Sequence, residues 1–126
     1  MAALYQLSLL KNGERLKIRE IAQRADAPQK FLEQILLELK KNGVLNSTKG
    51  ANGGYVLAKT MEKITLKEVI TILENNAFDG ICQTNNDILK MFWEEKQKEI
   101  VEVLDTPLSI LNTYQEKINK NFNYII

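Results

Sequence analysis

The sequence predicts a mainly α-helical fold with one small β-hairpin: a helix-turn-helix unit, a hairpin directly after it, and a long helix in the second half. Three observations carry this. Two short stretches with apolar residues at helical spacing meet at Ala25-Asp26-Ala27-Pro28, which is turn-like. A glycine-rich run, Gly50-Ala51-Asn52-Gly53-Gly54, separates two strand-like pieces. From Asp87 onward a longer helical pattern runs without a breaker to Leu104.

In chain order, Ala2, Leu4, Leu7, Leu9 and Leu10 lie close to helical spacing, and Asn12-Gly13 stops that helix near Lys11. Met1 falls straight into the apolar pattern with no capping residue, so further residues are expected ahead of it in the intact protein. Arg15-Leu16-Lys17 forms a short extended link, and Ile18, Ile21, Ala22 and Ala25 then mark the buried face of a two-turn helix. At the break, Asp26 tolerates the left-handed region and Pro28 suits a helix start. The next helix runs to Lys41, buries Phe31 or Leu32 together with Ile35, Leu36 and Leu39, and ends at Asn42-Gly43.

Val44 to Lys49 and Tyr55 to Ala58 are the two arms of the hairpin, and a hairpin placed just after the second helix of a helix-turn-helix is a wing. Thr65 to Asn75 forms a further helix, with Thr65 as cap, Glu68 as its capping-box partner, and Leu66, Val69, Ile70 and Leu73 inward. Ala77 to Asn86 is irregular. The helix from Asp87 to Leu104 spans about 27 Å at 1.5 Å per residue. Thr106-Pro107 starts a last helix carrying Leu108, Leu111, Tyr114 and Ile118. The expected division is a winged helix-turn-helix domain over residues 1–76 and, over 77–126, a linker, the long helix and a C-terminal helix.

A chain of 126 residues with 44% hydrophobic and 26% charged residues fits one globular domain with an appended helix, not a disordered chain. No apolar run approaches the roughly 20 residues of a membrane span. The apolar start, MAALYQLSLLKNG, lacks the basic lead and cleavage site of a signal peptide. A cytoplasmic protein with no membrane partner is expected. With one cysteine, Cys82, and no histidine, one chain can form neither an internal disulfide nor a Cys/His zinc site, and the usual general base is missing. No paired-carboxylate motif, phosphate-cradling loop or nucleophile elbow is present, so the sequence predicts no enzyme, no metal and no cofactor.

The net charge of +1 hides an asymmetry. Residues 1–60 hold ten Lys/Arg against five Asp/Glu, a net of +5, and residues 61–126 hold seven against eleven, a net of −4. The basic first half suits an anionic partner, although chance placement of solvated charge gives the same split. A helix reading bases needs polar side chains that reach base edges from its first turns. Gln29, Lys30, Glu33 and Gln34 supply them: Lys donates to guanine O6/N7, Gln pairs with adenine, and Glu accepts from cytosine N4. The same residues also suit the solvated face of an amphipathic helix. Lys49 and Asn52 sit at the hairpin tip, where small neighbours allow close approach to a duplex, and Arg19 lies where a helix N-terminus favours a phosphate. In the long helix Phe92, Trp93, Ile100 and Leu104 are the dimerisation candidates.

The run Ile21-Ala22, Phe31 to Leu36, Lys41-Asn42-Gly43-Val44-Leu45, Lys49 to Ala58 and Ile64 to Ile70, over about residues 2–112, closely resembles the IscR/NsrR/CymR (Rrf-type) family of bacterial winged helix-turn-helix transcriptional regulators. FLEQIL followed by the G-x-x-G-G-Y-x-L-A piece is the specific part. The resemblance implies a homodimer on a palindromic double-stranded DNA operator, usually acting as a repressor. It implies that Gln29, Lys30, Phe31, Glu33 and Gln34 face bases and that Lys49 makes the wing contact. Members that hold an iron–sulfur cluster carry three cysteines where this chain has only Cys82, so the resemblance is to the cluster-free branch. Two other readings stay open: a winged-helix module that binds protein, and a regulator using Cys82 as a thiol redox sensor. No small-molecule or protein effector is named by these residues.

Overall fold

The computed structural model describes residues 1–80 and 83–125, with the main chain alone for residues 124 and 125. It comprises two compact units, Met1–Thr60 and Met61–Ile126. The first holds helices α1 (Ala2–Ser8), α2 (Ile18–Ala25) and α3 (Gln29–Lys41), then strands β1 (Leu45–Thr48) and β2 (Gly54–Leu57). The second holds a 3-10 turn at Met61–Lys63, then α4 (Leu66–Leu73), α5 (Asp87–Leu104) and α6 (Ile110–Ile125). Packing therefore groups α4 with the second unit, whereas the division expected from the sequence, after residue 76, counts it with the first.

The first unit is built around one apolar cluster. Leu4 and Leu7 of α1, Ile21 of α2, and Leu32, Leu36 and Leu39 of α3 are buried with Leu16, Val44 and Leu45. Burying such a side chain stabilises by about 1.5–3 kcal/mol each, which offsets the ordering of three short helices that would not hold alone. Leu32, not Phe31, turns into this core, so the ambiguous pair is resolved by the 3.6-residue period that Leu36 and Leu39 set. Ile35 is only half-buried. The first helix ends at Ser8, earlier than Lys11, and Leu9 is exposed.

Asp26 ends α2 in the left-handed region at φ 51°, and Pro28 stands as the extended residue ahead of α3. The Ala27 amide still donates to the Ala22 carbonyl at 3.0 Å, which closes the turn between the two helices. The hairpin pairs β1 and β2 antiparallel in the register Leu45 to Leu57, Asn46 to Val56, Ser47 to Tyr55 and Thr48 to Gly54. Leu16 adds a third, one-residue rung: its amide donates to the Tyr55 carbonyl at 3.1 Å, and the Tyr55 amide donates back at 2.7 Å. The extended link at 15–17 thus ties the helices to the wing.

In the second unit the Thr65 hydroxyl accepts from the Glu68 amide at 3.1 Å, the cap that the sequence predicts. Leu73 is exposed, contrary to its expected inward place, because α4 stops there and the chain leaves the helix at Glu74. The last helix also begins later than Thr106-Pro107. The Leu66 amide donates to the Thr106 carbonyl at 2.9 Å and the Leu108 amide to the Ile64 carbonyl at 2.8 Å, so 106–108 runs as an extended rung and helical geometry begins at Ile110. Ile64, Val69 and Leu108 form the small core there. The long helix spans the bounds that the sequence predicts, capped by Asn86, whose side chain accepts from the amides of Ile88 and Leu89. Tyr114 and Ile118 of α6 are exposed.

Candidate nucleic-acid interface

With Leu32, Leu36 and Leu39 committed to the core, the opposite side of α3 is fixed. Gln29, Lys30, Phe31, Glu33 and Gln34 are all exposed in its first two turns. At about 100° per residue they fan around the outer surface, with Gln29 and Glu33 on one flank, Lys30 and Gln34 at the centre, and Phe31 on the other flank. Phe31 is 64% exposed, the most exposed large apolar residue of the first unit. A phenyl ring exposed there offers a flat apolar surface to a partner's apolar group.

Gln34 is not free in this array. Its amide nitrogen Nε2 donates to Glu38 Oε1 at 3.3 Å, and the same carboxylate oxygen lies 3.7 Å from Lys41 Nζ. Glu38 was not among the residues that sequence reasoning singled out. Its i,i+4 spacing from Gln34 is the signal that points to it.

The wing presents Lys49 and Asn52 exposed at its tip. Its shape depends on two glycines. A Cβ at Gly53 would overlap the Thr48 carbonyl, and one at Gly54, where φ is +148°, would lie 2.6 Å from the Leu16 carbonyl oxygen. No other residue lets the hairpin fold this tightly on the 15–17 link. Arg19 is exposed on α2, in the second position of that helix. All of these residues belong to the unit of net charge +5 (ten Lys/Arg less five Asp/Glu over residues 1–60).

The dimerisation candidates lie on α5, which buries no residue. Phe92, Trp93 and Ile100 are 48%, 41% and 47% exposed, and Leu104 is half-buried. The Phe92 and Trp93 rings meet edge to face with centroids 5.3 Å apart, and Lys96 Nζ stands 5.7 Å from the Phe92 ring centre. Ile88, Met91 and Val103 of the same helix are more exposed still. Glu99, Ile100, Val103 and Leu104 line a shallow, mostly apolar groove of about 300 Å³. Cys82 lies outside the described residues, and among the described residues no group of three or more Cys, His, Asp or Glu could hold a metal ion. Among the described residues no helix is long and apolar enough to cross a membrane.

Residues 1–110 match the Rrf2 family, whose description is "Iron-dependent Transcriptional regulator". Protein rrf2 of Nitratidesulfovibrio vulgaris is 30% identical over 111 residues, covering 82% of this chain and 74% of that protein. An rrf2-like HTH-type transcriptional regulator of Rhodobacter capsulatus is 46% identical over 55 residues, and the match spans 44% of this chain and 37% of that relative's length. Among solved structures, CymR, the global cysteine regulator of B. subtilis, superposes with a TM-score of 0.78 at 28% identity over 90% of this chain and 89% of that one.

Proposed function

The chain belongs to the Rrf2 family of transcriptional regulators, which are DNA-binding proteins and not enzymes, and from that premise we propose that it represses transcription as a homodimer on a palindromic operator. The observation that carries the reading is the outer surface of α3. It puts Gln29, Lys30, Glu33 and Gln34 in the first two turns, in the same basic unit as a wing tipped by Lys49 and Asn52. In this reading the first turns of α3 enter the major groove and the wing reaches the adjacent backbone or minor groove. Glu33 accepts from cytosine N4, Lys30 donates to guanine, Gln29 and Gln34 read adenine, and Phe31 lies against a thymine methyl. Lys49, Asn52 and Arg19 contact phosphate or sugar and set position without setting sequence.

The homodimer reading rests on α5. Large apolar side chains stay exposed along its length, and a second copy would cover them and deliver a second α3 and wing to a second half-site. The family's description names iron, but the donor set of this chain does not fit an iron–sulfur cluster: it has one cysteine and no histidine. We therefore read it as a cluster-free member that works in the cytoplasm. Selection of bound fragments from the source genome by the purified protein tests the proposal. One palindrome recovered upstream of a few genes is the expected result, and no enriched sequence even at low salt would overturn it.

A further inference from the structure

We propose that Glu38 is a positioning residue for DNA reading: its carboxylate holds the Gln34 side-chain amide in the one orientation that reads adenine. The inference rests on the reading of α3 as the base-contacting helix. A glutamine reads adenine with both ends of its amide, Oε1 accepting from the N6 amino group and Nε2 donating to N7. A free glutamine must fix several torsions to do so, and its amide is equally content turned by half a rotation, which presents the groups to the wrong atoms.

Glu38 removes that ambiguity. An ionised carboxylate only accepts, so it can pair with Nε2 and not with Oε1. The contact at 3.3 Å therefore fixes which end of the amide points along the helix. Nε2 carries two hydrogens. The one given to Glu38 leaves the other free beside Oε1, and that remaining pair is the donor–acceptor couple that an adenine edge requires. Lys41 completes the arrangement: its ammonium, 3.7 Å from the same Oε1, partly offsets the charge that a carboxylate brings to a helix facing phosphates. Phe31, Gln34 and Glu38 follow one another at i, i+3 and i+7, so they form one ridge along α3, distinct from the flank that carries Gln29 and Glu33.

A carboxylate on a DNA-facing surface weakens binding to every duplex through repulsion from phosphate, so its effect on affinity and its effect on specificity have opposite signs. The test selects duplexes from a randomised DNA library with the full chain, using the wild type, Gln34→Ala, Glu38→Ala, Glu38→Gln and the Gln34→Ala/Glu38→Ala double variant at one salt concentration. Each variant's thermal midpoint checks its fold. The wild type is expected to enrich adenine at the position that Gln34→Ala flattens. Glu38→Ala should cut the adenine preference there by up to about twofold, the worth of one exposed i,i+4 side-chain pair, while binding non-specific duplex more tightly. Glu38→Gln offers a donor as well as an acceptor, so it no longer selects which end of the Gln34 amide it meets and should lose the preference much as Glu38→Ala does. The double variant should match Gln34→Ala. The inference is overturned if Glu38→Ala keeps the adenine preference, if it weakens all positions of the site alike, or if Gln34→Ala flattens none. A wild-type pool with no enriched sequence would overturn the underlying reading of function as well.

Discussion

Phe31 shows what one residue's surroundings can decide. From spacing alone either Phe31 or Leu32 could fill the core. The structure seats Leu32 there and leaves the phenyl ring 64% exposed beside the polar array of α3. If the ring lies against a thymine methyl, replacing that thymine by uracil in the operator should weaken wild-type binding by about 0.8 kcal/mol, the worth of one buried methyl-sized group. The same base change should leave Phe31→Ala unaffected, and competition binding on the paired duplexes measures both. Lys49 is expected to behave differently, because a phosphate contact carries no sequence information. Lys49→Ala should lower affinity about equally on all duplexes and reduce the slope of log K against log salt by about one contact. A changed base preference in that variant would contradict the role. That Gln29, Lys30, Glu33 and Gln34 form an exposed polar set was legible in the sequence, because chemistry and spacing coincide there. Glu38 was not, because a mid-helix glutamate is usually solvent-facing and only the contact with Gln34 gives it a task.

Among the elements, those with strong local signals followed the sequence closely. The bounds of α3 and α5 were legible because each has a clear stop or cap: Asn42-Gly43 after α3, and the breaks around Asn86 and Asp105 for α5. The Thr65 cap was legible for the same reason, and Thr65→Ala should destabilise the chain by about 1 kcal/mol through loss of the bond to the Glu68 amide. Chemical denaturation reads that change. An unaltered midpoint would show that α4 does not depend on its cap. The parts that the sequence hid are those set by distant pairing. Nothing local announces that Leu16 bonds Tyr55 or that the 106–108 segment pairs with 64–66, and these long-range rungs shift the start of α6 to Ile110. Gly54 stands where the first of these rungs meets the wing. Gly54→Ala should lower operator affinity more than it alters helix content, since the added Cβ strikes the Leu16 carbonyl while α3 is untouched. Circular dichroism and binding isotherms on one sample separate the two effects.

For the whole molecule, the central quantities are the charge split and the uncovered surface of α5. A unit of net +5 carries the polar face of α3 and the wing, and residues 61–126, net −4, carry the exposed apolar side chains. If Trp93 anchors a homodimer, Trp93→Ala should weaken self-association by about 2 kcal/mol, roughly thirtyfold in the dimer dissociation constant, as read by sedimentation equilibrium. A truncation that leaves association unchanged would assign the ring to its own protomer instead. The most direct test of the account as a whole is the affinity of the protein for a selected palindrome, compared with a duplex holding one half-site and with scrambled DNA, across a range of salt. The palindrome should be bound at least about a thousandfold more tightly than scrambled DNA, by two protomers per duplex, with a steep loss of affinity as salt rises. Equal affinity for all three duplexes, or binding that ignores salt, would contradict this expectation.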